Sequence, residues 1–413
     1  MSIQFKTVMK TSFLFHAFGL KGLECNRIEY KGKQIIFHVH YKDRKIRCPK
    51  CGERTLVKNG YRIRDFVGVP IGNRKCIFRM KVQRYKCKCE DCDYDQQEKI
   101  HFATGSRHYT HRFGKFVVWL LKSMTLQDVA EFLGVSWDTI KEIHSDYLFG
   151  KYSPPSLDGV KNIGIDEFAV RKGHKYKTIV VDLDTGRILH VGDGKGADAL
   201  DGFWKRAKKK HVKIENVATD LSKAFIKAVA ENAPDAAHIF DHFHVVKLMN
   251  DALDDIRREL VRNEKDDDRK KLIKGTRYIL LANGENIEKG GRTKLENALK
   301  LNKPLSTAYY LKEDLREIWS QPTKERAETK LLEWIIAARE SKIEQLMDMA
   351  DTMEAAKKGI LAYYDCRIST GKVEGINNKI KVMKRNAYGF RDERYFKLRL
   401  FGLHDTRITR NVG

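Results

Sequence analysis

The chain has 413 residues, and its 80 Lys and Arg against 55 Asp and Glu give a formal net charge of +25. This length allows two or three domains with cores of their own. The positive charge is concentrated in residues 1–112, which hold 25 basic and 10 acidic side chains, and it favours nucleic acid over a membrane surface as the partner. No apolar run approaches the length of a transmembrane helix, and Ser12–Leu20 lacks a signal-peptide cleavage site. We therefore expect a soluble intracellular protein that does not contact a membrane.

Two cysteine clusters in the basic N-terminal part predict a metal site. Cys48 and Cys51 form a C-x2-C pair, and Cys87, Cys89 and Cys92 follow after a run of strand-like residues. Thiolates from two such clusters can complete one tetrahedral zinc site, which stabilises a small domain with little core. The spacing leaves the fourth ligand open between Cys87 and Cys89, and the alternative for the whole set is free, partly buried thiols.

The next segment has the pattern of a helix-turn-helix. Thr125 is expected to cap a helix over Leu126–Leu133, Gly134 to make the turn, and Ser136 to cap a second helix over Trp137–Tyr147. Such a motif places its second helix in the major groove of DNA, whereas the alternative is an ordinary helical hairpin within a core. The side chains expected to contact DNA at the start of that helix are Ser136, Trp137, Thr139 and Lys141.

Three short apolar runs predict an antiparallel meander of strands, at Asn162–Phe168, Tyr176–Asp182 and Arg187–Val191. Asp166 lies within the first strand, where a carboxylate is costly unless it is solvated, paired or bound to a cation. A second aspartate, Asp220, ends a later short strand. The alternative for Asp166 is a hydrogen-bonded aspartate at a strand end.

The C-terminal half combines a long helical block with a basic tail. Residues 246–360 are helical and charged, and the block is too long for a loop, so it is predicted to be an insertion. Thr370 is expected to cap a later helix that has Glu374 in its first turns. Residues 371–413 carry 11 basic and 4 acidic side chains. In such a segment Glu374 is either part of a local ion pair or a ligand for a cation at a bound phosphate.

Taken together, these motifs resemble a known family. The cysteine pattern, the helix-turn-helix, GIDE at 164–167, ATD at 218–220 and STGKVEGINNKIKVMKRNAYGFRD at 369–392 are similar to the ISL-three family of bacterial insertion-sequence transposases. The resemblance spans roughly residues 40–403, and the last motif is highly specific. It implies a transposase of the DDE type with a ribonuclease H-like core.

The resemblance also implies roles for individual residues. Asp166, Asp220 and Glu374 would be the three catalytic carboxylates, and the x4 spacing favours Cys87 together with Cys92 as zinc ligands. Asp241-x-x-His244 is similar to a D-x-x-H signature of related transposases that carry insertions, so His244 would support the active site. The basic residues expected to hold the DNA backbone near this site are Lys379, Lys381, Lys384 and Arg385.

The chemistry of strand transfer agrees with this assignment. An in-line attack on a phosphodiester is assisted by two cations roughly 3.5–4 Å apart, which stabilise the entering and the leaving oxygen. Mg²⁺ or Mn²⁺ would suit because these ions prefer hard oxygen ligands, and three carboxylates suffice to hold two of them. The expected cofactors are therefore two Mg²⁺ (or Mn²⁺) ions per active site and one structural Zn²⁺.

We accordingly predict a multidomain α/β protein with an N-terminal zinc-binding β module, a helix-turn-helix, and a ribonuclease H-like mixed-sheet core interrupted by a helical insertion. The expected domains are residues 1–100 (basic zinc-binding domain), 101–152 (helix-turn-helix DNA-binding domain), 158–245 (first part of the core), 246–360 (insertion) and 361–413 (core glutamate helix and basic C-terminal segment).

The predicted function is a DNA transposase that binds the terminal inverted repeats of an insertion sequence and catalyses metal-dependent cleavage and strand transfer into target DNA. We expect it to act on double-stranded DNA as a homodimer or a higher synaptic assembly, in the bacterial cytoplasm at the nucleoid. One alternative is a structure-selective nuclease without strand transfer. The other is a domesticated DNA-binding regulator, which would be expected to lack a carboxylate, whereas all three are present.

Overall fold

The structure is a computed structural model that describes residues 11–42, 46–171, 175–368 and 371–405. The chain divides into two compact units. What we call the N-terminal unit comprises residues 1–153, 383–398 and 405–413, and the core unit comprises residues 154–382 and 399–404. The predicted helix cap Thr370 lies outside the described residues. None of the described helices is long and apolar enough to cross a membrane.

The N-terminal unit begins with a five-stranded sheet in the order β1-β2-β4-β3, with β5 paired to β4. Its elements up to residue 153 are α1 (Thr11–Phe18), β1 (Leu23–Lys31), β2 (Gln34–Tyr41), β3 (Leu56–Ile71), β4 (Arg74–Cys87), β5 (Asp95–Gln97), α2 (His111–Leu120), α3 (Leu126–Leu133) and α4 (Trp137–Tyr152). Because side chains alternate across a strand, one face of the sheet buries Phe37, Phe66 and Phe78 in a common core. The predicted N-terminal β module is confirmed.

The helix-turn-helix forms as the sequence predicts. Thr125 and Asp128 make a reciprocal capping box at the start of α3, and Gly134 ends that helix with φ 61°. This left-handed conformation is strained for residues with a Cβ, which explains the glycine. Ser136 then caps α4 by accepting a hydrogen bond from the backbone N–H of Thr139. Helix α4 is longer than predicted and ends at Tyr152, just before the two prolines that cannot continue a helix.

The core unit contains the predicted mixed sheet, in the order β10-β9-β6-β7-β8. Its first elements are β6 (Asn162–Arg171), β7 (Lys175–Asp182), β8 (Ile188–Asp193), α5 (Asp201–Lys209), β9 (Asn216–Thr219), α6 (Lys223–Asn232) and β10 (Ala237–Phe240). Strands β6, β7 and β8 form the antiparallel meander, while β9 is parallel to β6 and β10 is parallel to β9. Ile163, Val180 and Phe203 are fully buried where α5 covers the sheet.

A helical insertion follows β10, as predicted. Its α-helices are α7 (His242–Asn263), α8 (Asp267–Lys274), α9 (Arg277–Leu281), α10 (Lys289–Leu301), α11 (Lys303–Glu317), α12 (Lys324–Glu340) and α13 (Glu344–Leu361). They share a core that includes Leu253, Leu315 and Trp334. The buried Lys312 ammonium donates hydrogen bonds to the backbone oxygens of Leu280 and Ala282 at the end of α9, where a cation is favoured.

The chain returns to the core sheet through α14 (Gly371–Asn386), which precedes α15 (Glu393–Phe401). Gly164 of β6 allows α14 to approach closely, because an added Cβ would lie 2.5 Å from Val373 Cγ2 and 2.9 Å from Leu183 Cδ2. Lys372 Nζ donates hydrogen bonds to the backbone oxygens of Leu183 and Asp184, at 2.5 and 3.2 Å. Helix α14 is therefore held against the strand that contains Asp166.

We predict that Gly164→Ala destabilises the core unit, because the added methyl group must displace Val373 or Leu183. Overpacking of this kind typically costs about 1–3 kcal/mol in the free energy of unfolding, which urea denaturation would measure. The matched control is Gly375→Ala on α14, where an added Cβ meets nothing within 4 Å. Alanine favours a helix by up to about 1 kcal/mol over glycine, so this variant should be unchanged or more stable. Equal stability of both variants would contradict the close approach.

Candidate active site and zinc centre

Four cysteine thiols converge in the N-terminal unit. Cys48 Sγ lies 3.6 Å from Cys92 Sγ, and Cys51 Sγ lies 3.7 Å from Cys87 Sγ. A tetrahedron of sulfurs about 2.3 Å from zinc has edges of about 3.8 Å, so these spacings fit one structural Zn²⁺. In the part of the chain that the structure describes, this is the only group of three or more Cys, His, Asp or Glu residues whose ligand atoms lie within 4.8 Å of one another.

Cys89 is not a member of this group, which answers the question that the spacing left open. Its backbone N–H instead donates to Cys87 Sγ at 3.5 Å, and the Thr55 hydroxyl lies 3.0 Å from the same sulfur. These two contacts, with Thr55 the larger cause, lower the pKa of Cys87 to about 6. A thiolate is the form that binds zinc, so the surroundings of Cys87 favour metal binding at neutral pH.

The first two carboxylates of the candidate active site come from neighbouring strands of the core sheet. Gly164 of β6 pairs with Ala218 of β9 in parallel register. Two residues further along, the same register brings Asp166 beside Asp220, which follows the end of β9. Adjacent strands are about 4.8 Å apart, and residues at one level point to the same face. Parallel pairing therefore explains how two acidic residues distant in sequence come together where the pairing of β6 with β9 ends.

Helix α14 contributes a third acidic residue and an amide. Asn377 Nδ2 donates a 2.7 Å hydrogen bond to Asp166 Oδ2, while the backbone N–H of Glu167 donates to Asp166 Oδ1 at 2.8 Å. Glu374 is exposed and precedes Asn377 by three residues on the same helix. Residues three apart are neighbours on a helix surface, so Glu374 lies next to Asn377, the residue that donates to Asp166.

Asp241 and His244 lie at the start of α7. Asp241 is buried, caps the helix by accepting from the backbone N–H of Phe243, and donates its own N–H to the oxygen of Thr219. His244 Nδ1 is 3.5 Å from Asp241 Oδ2. Asp241 is the largest cause of a raised pKa of His244, and the charges of Asp166 and Asp220 add to it. The imidazole thus lies within ion-pair distance of Asp241, and burial opposes the raised pKa.

The neighbouring carboxyl groups of Asp166, Asp220 and Glu167 are difficult to ionise together. Burial raises the pKa of Asp166, and the charge of Asp220 raises it further, against the opposing effects of the Glu167 N–H, His244 and Asn377. Burial also raises the pKa of Glu167, as do Asp220 and Asp166. A cluster of oxygen ligands that repel one another when ionised is the donor set that a hard divalent cation would neutralise.

Sequence patterns proposed Asp166, Asp220, Glu374 and His244 as candidates, whereas they assigned no role to Asn377 or Glu167. Asn377 was within reach of prediction, because it lies three residues after Glu374 on a helix. Glu167 directly follows Asp166 in β6, and the charges of Asp220 and Asp166 raise its pKa. In the described residues the carboxylates of Asp166, Asp220 and Glu374 do not form a group as close as the four cysteines.

Some of the residues at the start of α4 that are expected to contact DNA already make contacts within the N-terminal unit. The hydroxyls of Ser136 and Thr139 lie 2.8 Å apart at the helix cap. Lys141 Nζ is 5.2 Å from the centroid of the Trp137 ring and 2.7 Å from Asp392 Oδ2. Of these side chains, Trp137 is 40% exposed and remains accessible to a ligand.

The predicted basic residues of α14 fall in different units. Lys379 and Lys381 belong to the core unit and are exposed, while Lys384 and Arg385 belong to the N-terminal unit. Arg385 is exposed, whereas Lys384 is partly buried and its pKa is lowered by burial. The sequence did not indicate this division within one helix.

Comparison with family models agrees with these features. A transposase model matches residues 163–400, a model of the helix-turn-helix domain of transposase family ISL3 matches residues 98–148, and a model of the zinc-finger of transposases IS204, IS1001, IS1096 and IS1165 matches residues 44–92. The zinc finger, the helix-turn-helix and the mixed-sheet core define a DNA transposase of the insertion-sequence type. The chain belongs to the transposase family ISL3.

Individual relatives are similar over most of the chain. The transposase for insertion sequence element IS1001 of Bordetella parapertussis is 29% identical over 388 residues, which cover 92% of this chain and 95% of the relative. The transposase for insertion sequence element IS1557 of Mycobacterium tuberculosis is 26% identical over 386 residues, with 87% and 86% covered. Among solved structures, the Drosophila P element transposase strand transfer complex matches 72% of this chain and 92% of that chain at 12% identity, with a TM-score of 0.41.

We predict that the purified protein contains about one zinc ion per chain. Cys87→Ser should lower the zinc content measured by elemental analysis, because it removes one of four thiolates. Cys89→Ser should retain zinc, and Cys366→Ser, which changes a thiol outside the group, serves as the matched control. Loss of zinc in Cys89→Ser with full retention in Cys87→Ser would contradict the ligand assignment.

We predict that Asp166→Asn stabilises the protein against heat at neutral pH in buffer without added divalent cations. A carboxyl whose pKa is raised on folding contributes stability below its ordinary pKa and loses it as the pH rises through the raised value. Ionised Asp166 is therefore unfavourable at neutral pH. Asparagine keeps one oxygen that can accept from either Asn377 or the Glu167 N–H, and we expect the removal of the buried charge to outweigh the loss of the other hydrogen bond. The gain in melting temperature should shrink as the pH falls towards about 4. A gain that is independent of pH would argue against burial of an ionised Asp166.

Proposed function

We propose that the transposase acts by DDE-type chemistry, with Asp166, Asp220 and Glu374 as the catalytic carboxylates. The observation that carries the proposal is the hydrogen bond from Asn377 to Asp166, which joins the glutamate helix to the strand of the first aspartate. The parallel register of β6 and β9 supports Asp220 as the second carboxylate. The proposal includes the five domain ranges that were predicted from the sequence.

The three carboxylates would hold two Mg²⁺ or Mn²⁺ ions, with Asp166 shared between them. Bound there, the ions would stabilise the entering and the leaving oxygen of an in-line displacement at phosphorus. The donor set fits such ions, because it offers hard carboxylate oxygens from partly buried Asp166 and Asp220 and from exposed Glu374. The chain's own part is to orient these oxygens through the Glu167 N–H and Asn377, and to exclude water from one side of Asp166.

His244 would assist without binding metal. Asp241 lies 3.5 Å from its ring, and the raised pKa of His244 favours a protonated imidazole near Asp166 and Asp220. Such a cation can donate a hydrogen bond to a phosphate oxygen of the bound DNA. Exposed Lys379 and Lys381 on α14 would contact the backbone of the same DNA.

The DNA substrates would be the terminal inverted repeats of the chain's own insertion sequence and a target duplex. The zinc module and the helix-turn-helix, through Ser136, Trp137, Thr139 and Lys141, would bind the repeats. Joining two ends requires at least two active sites, so the working form would be a homodimer or a higher assembly. We place it in the bacterial cytoplasm at the nucleoid.

We predict that Asp166→Asn, Asp220→Asn and Glu374→Gln each abolish cleavage and joining of end DNA while leaving end binding close to normal. Double variants should be scarcely worse than single ones, because the carboxylates act as one unit. The measurement is incubation with the element's end DNA, a target plasmid and Mg²⁺, followed by sequencing of cleaved and joined ends.

The matched control is Glu231→Gln, which changes an exposed carboxylate paired only with Lys227 among the contacts described. It should cleave and join like the unmodified protein. Substantial cleavage by any of the three active-site variants would show that the wrong carboxylate has been chosen. Ends that are cut but never joined by the unmodified protein would indicate the alternative function, a nuclease without strand transfer.

A further inference from the structure

The C-terminal segment Met383–Leu398 belongs to the N-terminal unit and packs against the recognition helix α4. Lys141 Nζ forms a 2.7 Å ion pair with Asp392 Oδ2. One turn further along α4, His144 Nδ1 lies 2.7 Å from the hydroxyl of Tyr395, and both side chains are buried. A buried hydrogen bond between polar groups is lost only at a considerable cost, so the two elements are held in one arrangement.

Apolar and cation–π contacts extend this packing along the helix. Leu148 of α4 is buried in one cluster with Tyr395 and Leu398, and Phe390 packs against it. The guanidinium carbon of Arg394 is 5.7 Å from the centroid of the Phe149 ring. Segment 383–398 is thus an integral part of the helix-turn-helix region, although the intervening core unit separates the two in sequence.

The segment contains an unusually exposed turn. After α14 ends, the backbone N–H of Gly389 donates to the oxygen of Lys384 at 3.0 Å. Tyr388 has φ 49° and Gly389 has φ 96°. The Tyr388 side chain is 100% exposed. A bulky residue with positive φ is uncommon and tends to be retained where it has a function, and an aromatic ring wholly in water gains nothing from folding.

Several basic residues flank Tyr388 in the sequence. Arg385, Arg391 and Arg394 are all exposed, and the segment 383–398 holds five basic and two acidic residues. One of the two acids, Asp392, is already paired with Lys141. Exposed arginines close in sequence to an exposed aromatic residue suit a DNA contact, in which the cations bind phosphates and the ring lies against a nucleotide.

We propose that the turn Asn386–Arg391 serves as a wing of the helix-turn-helix, contacting the DNA next to the groove that α4 enters. Arg385 and Arg391 bind backbone phosphates, and the ring of Tyr388 packs on the nucleotide between them. This inference rests on the proposal that the helix-turn-helix binds the terminal repeats. It assigns the basic tail after residue 383 to end recognition, whereas the sequence alone grouped it with the catalytic core.

The test compares variants of the full-length chain for binding to a labelled duplex of the element's terminal repeat at several salt concentrations. Tyr388→Asn removes the ring but keeps a residue that tolerates positive φ, and it should weaken binding about tenfold without changing the salt dependence. Arg385→Ala with Arg391→Ala should reduce the slope of log affinity against log salt by about 1.8. Tyr388→Phe retains the ring and should bind normally.

The matched control is Tyr278→Ala, which removes a tyrosine that is 81% exposed and lies beside Arg277 in the insertion. It should leave end binding unchanged. Zinc content and melting temperature verify that each variant is folded. The proposed wing is contradicted if the unmodified protein prefers repeat DNA and both Tyr388→Asn and the double arginine variant bind that DNA as tightly as it does.

Two further outcomes separate the possible causes of failure. If the variants bind the ends normally but lose joining, the turn contacts target DNA or another protein. That result would contradict the proposed wing. If the unmodified protein itself shows no preference for repeat DNA over an unrelated duplex, the proposed function is contradicted. The proposal that the turn contacts repeat DNA is then contradicted as well.

Discussion

The hydrogen bond between Asn377 and Asp166 is the contact on which the candidate active site depends. It joins residues 211 positions apart, across the entire helical insertion. Gly164 makes it possible, because only a residue without a side chain leaves room for Val373 of α14 against β6. The site therefore exists only when the first strand and the late helix are packed together. This constraint explains how an insertion of seven α-helices can interrupt the core without separating its acidic residues.

The two halves of the function impose opposite electrostatic requirements. DNA binding needs the large excess of positive charge, which is concentrated at the two ends of the sequence. The proposed catalysis would need acidic side chains close together, where burial and mutual repulsion disfavour their ionisation. The fold places Asp166 within one inner strand of the core sheet and Asp220 just after another, with Asp241 and His244 as a nearby, partly compensating pair.

Sequence patterns predicted the elements whose signals are local. The cysteine spacing identified the zinc ligands up to the choice between Cys87 and Cys89, and caps such as Thr125 identified the helix-turn-helix. Contacts between distant residues leave no such signal. Neither the Lys141–Asp392 ion pair nor the unit boundary inside α14 follows from periodicity, because each depends on how the chain returns after the insertion.

The most direct test of the active-site assignment is a crystal structure of the protein grown with Mn²⁺, with anomalous scattering used to locate the ions. We predict two manganese peaks roughly 3.5–4 Å apart, both bound by Asp166 and each completed by either Asp220 or Glu374. A structure with manganese bound by Glu167 in place of Glu374, or with no peak at Asp166 at saturating Mn²⁺, would contradict the assignment.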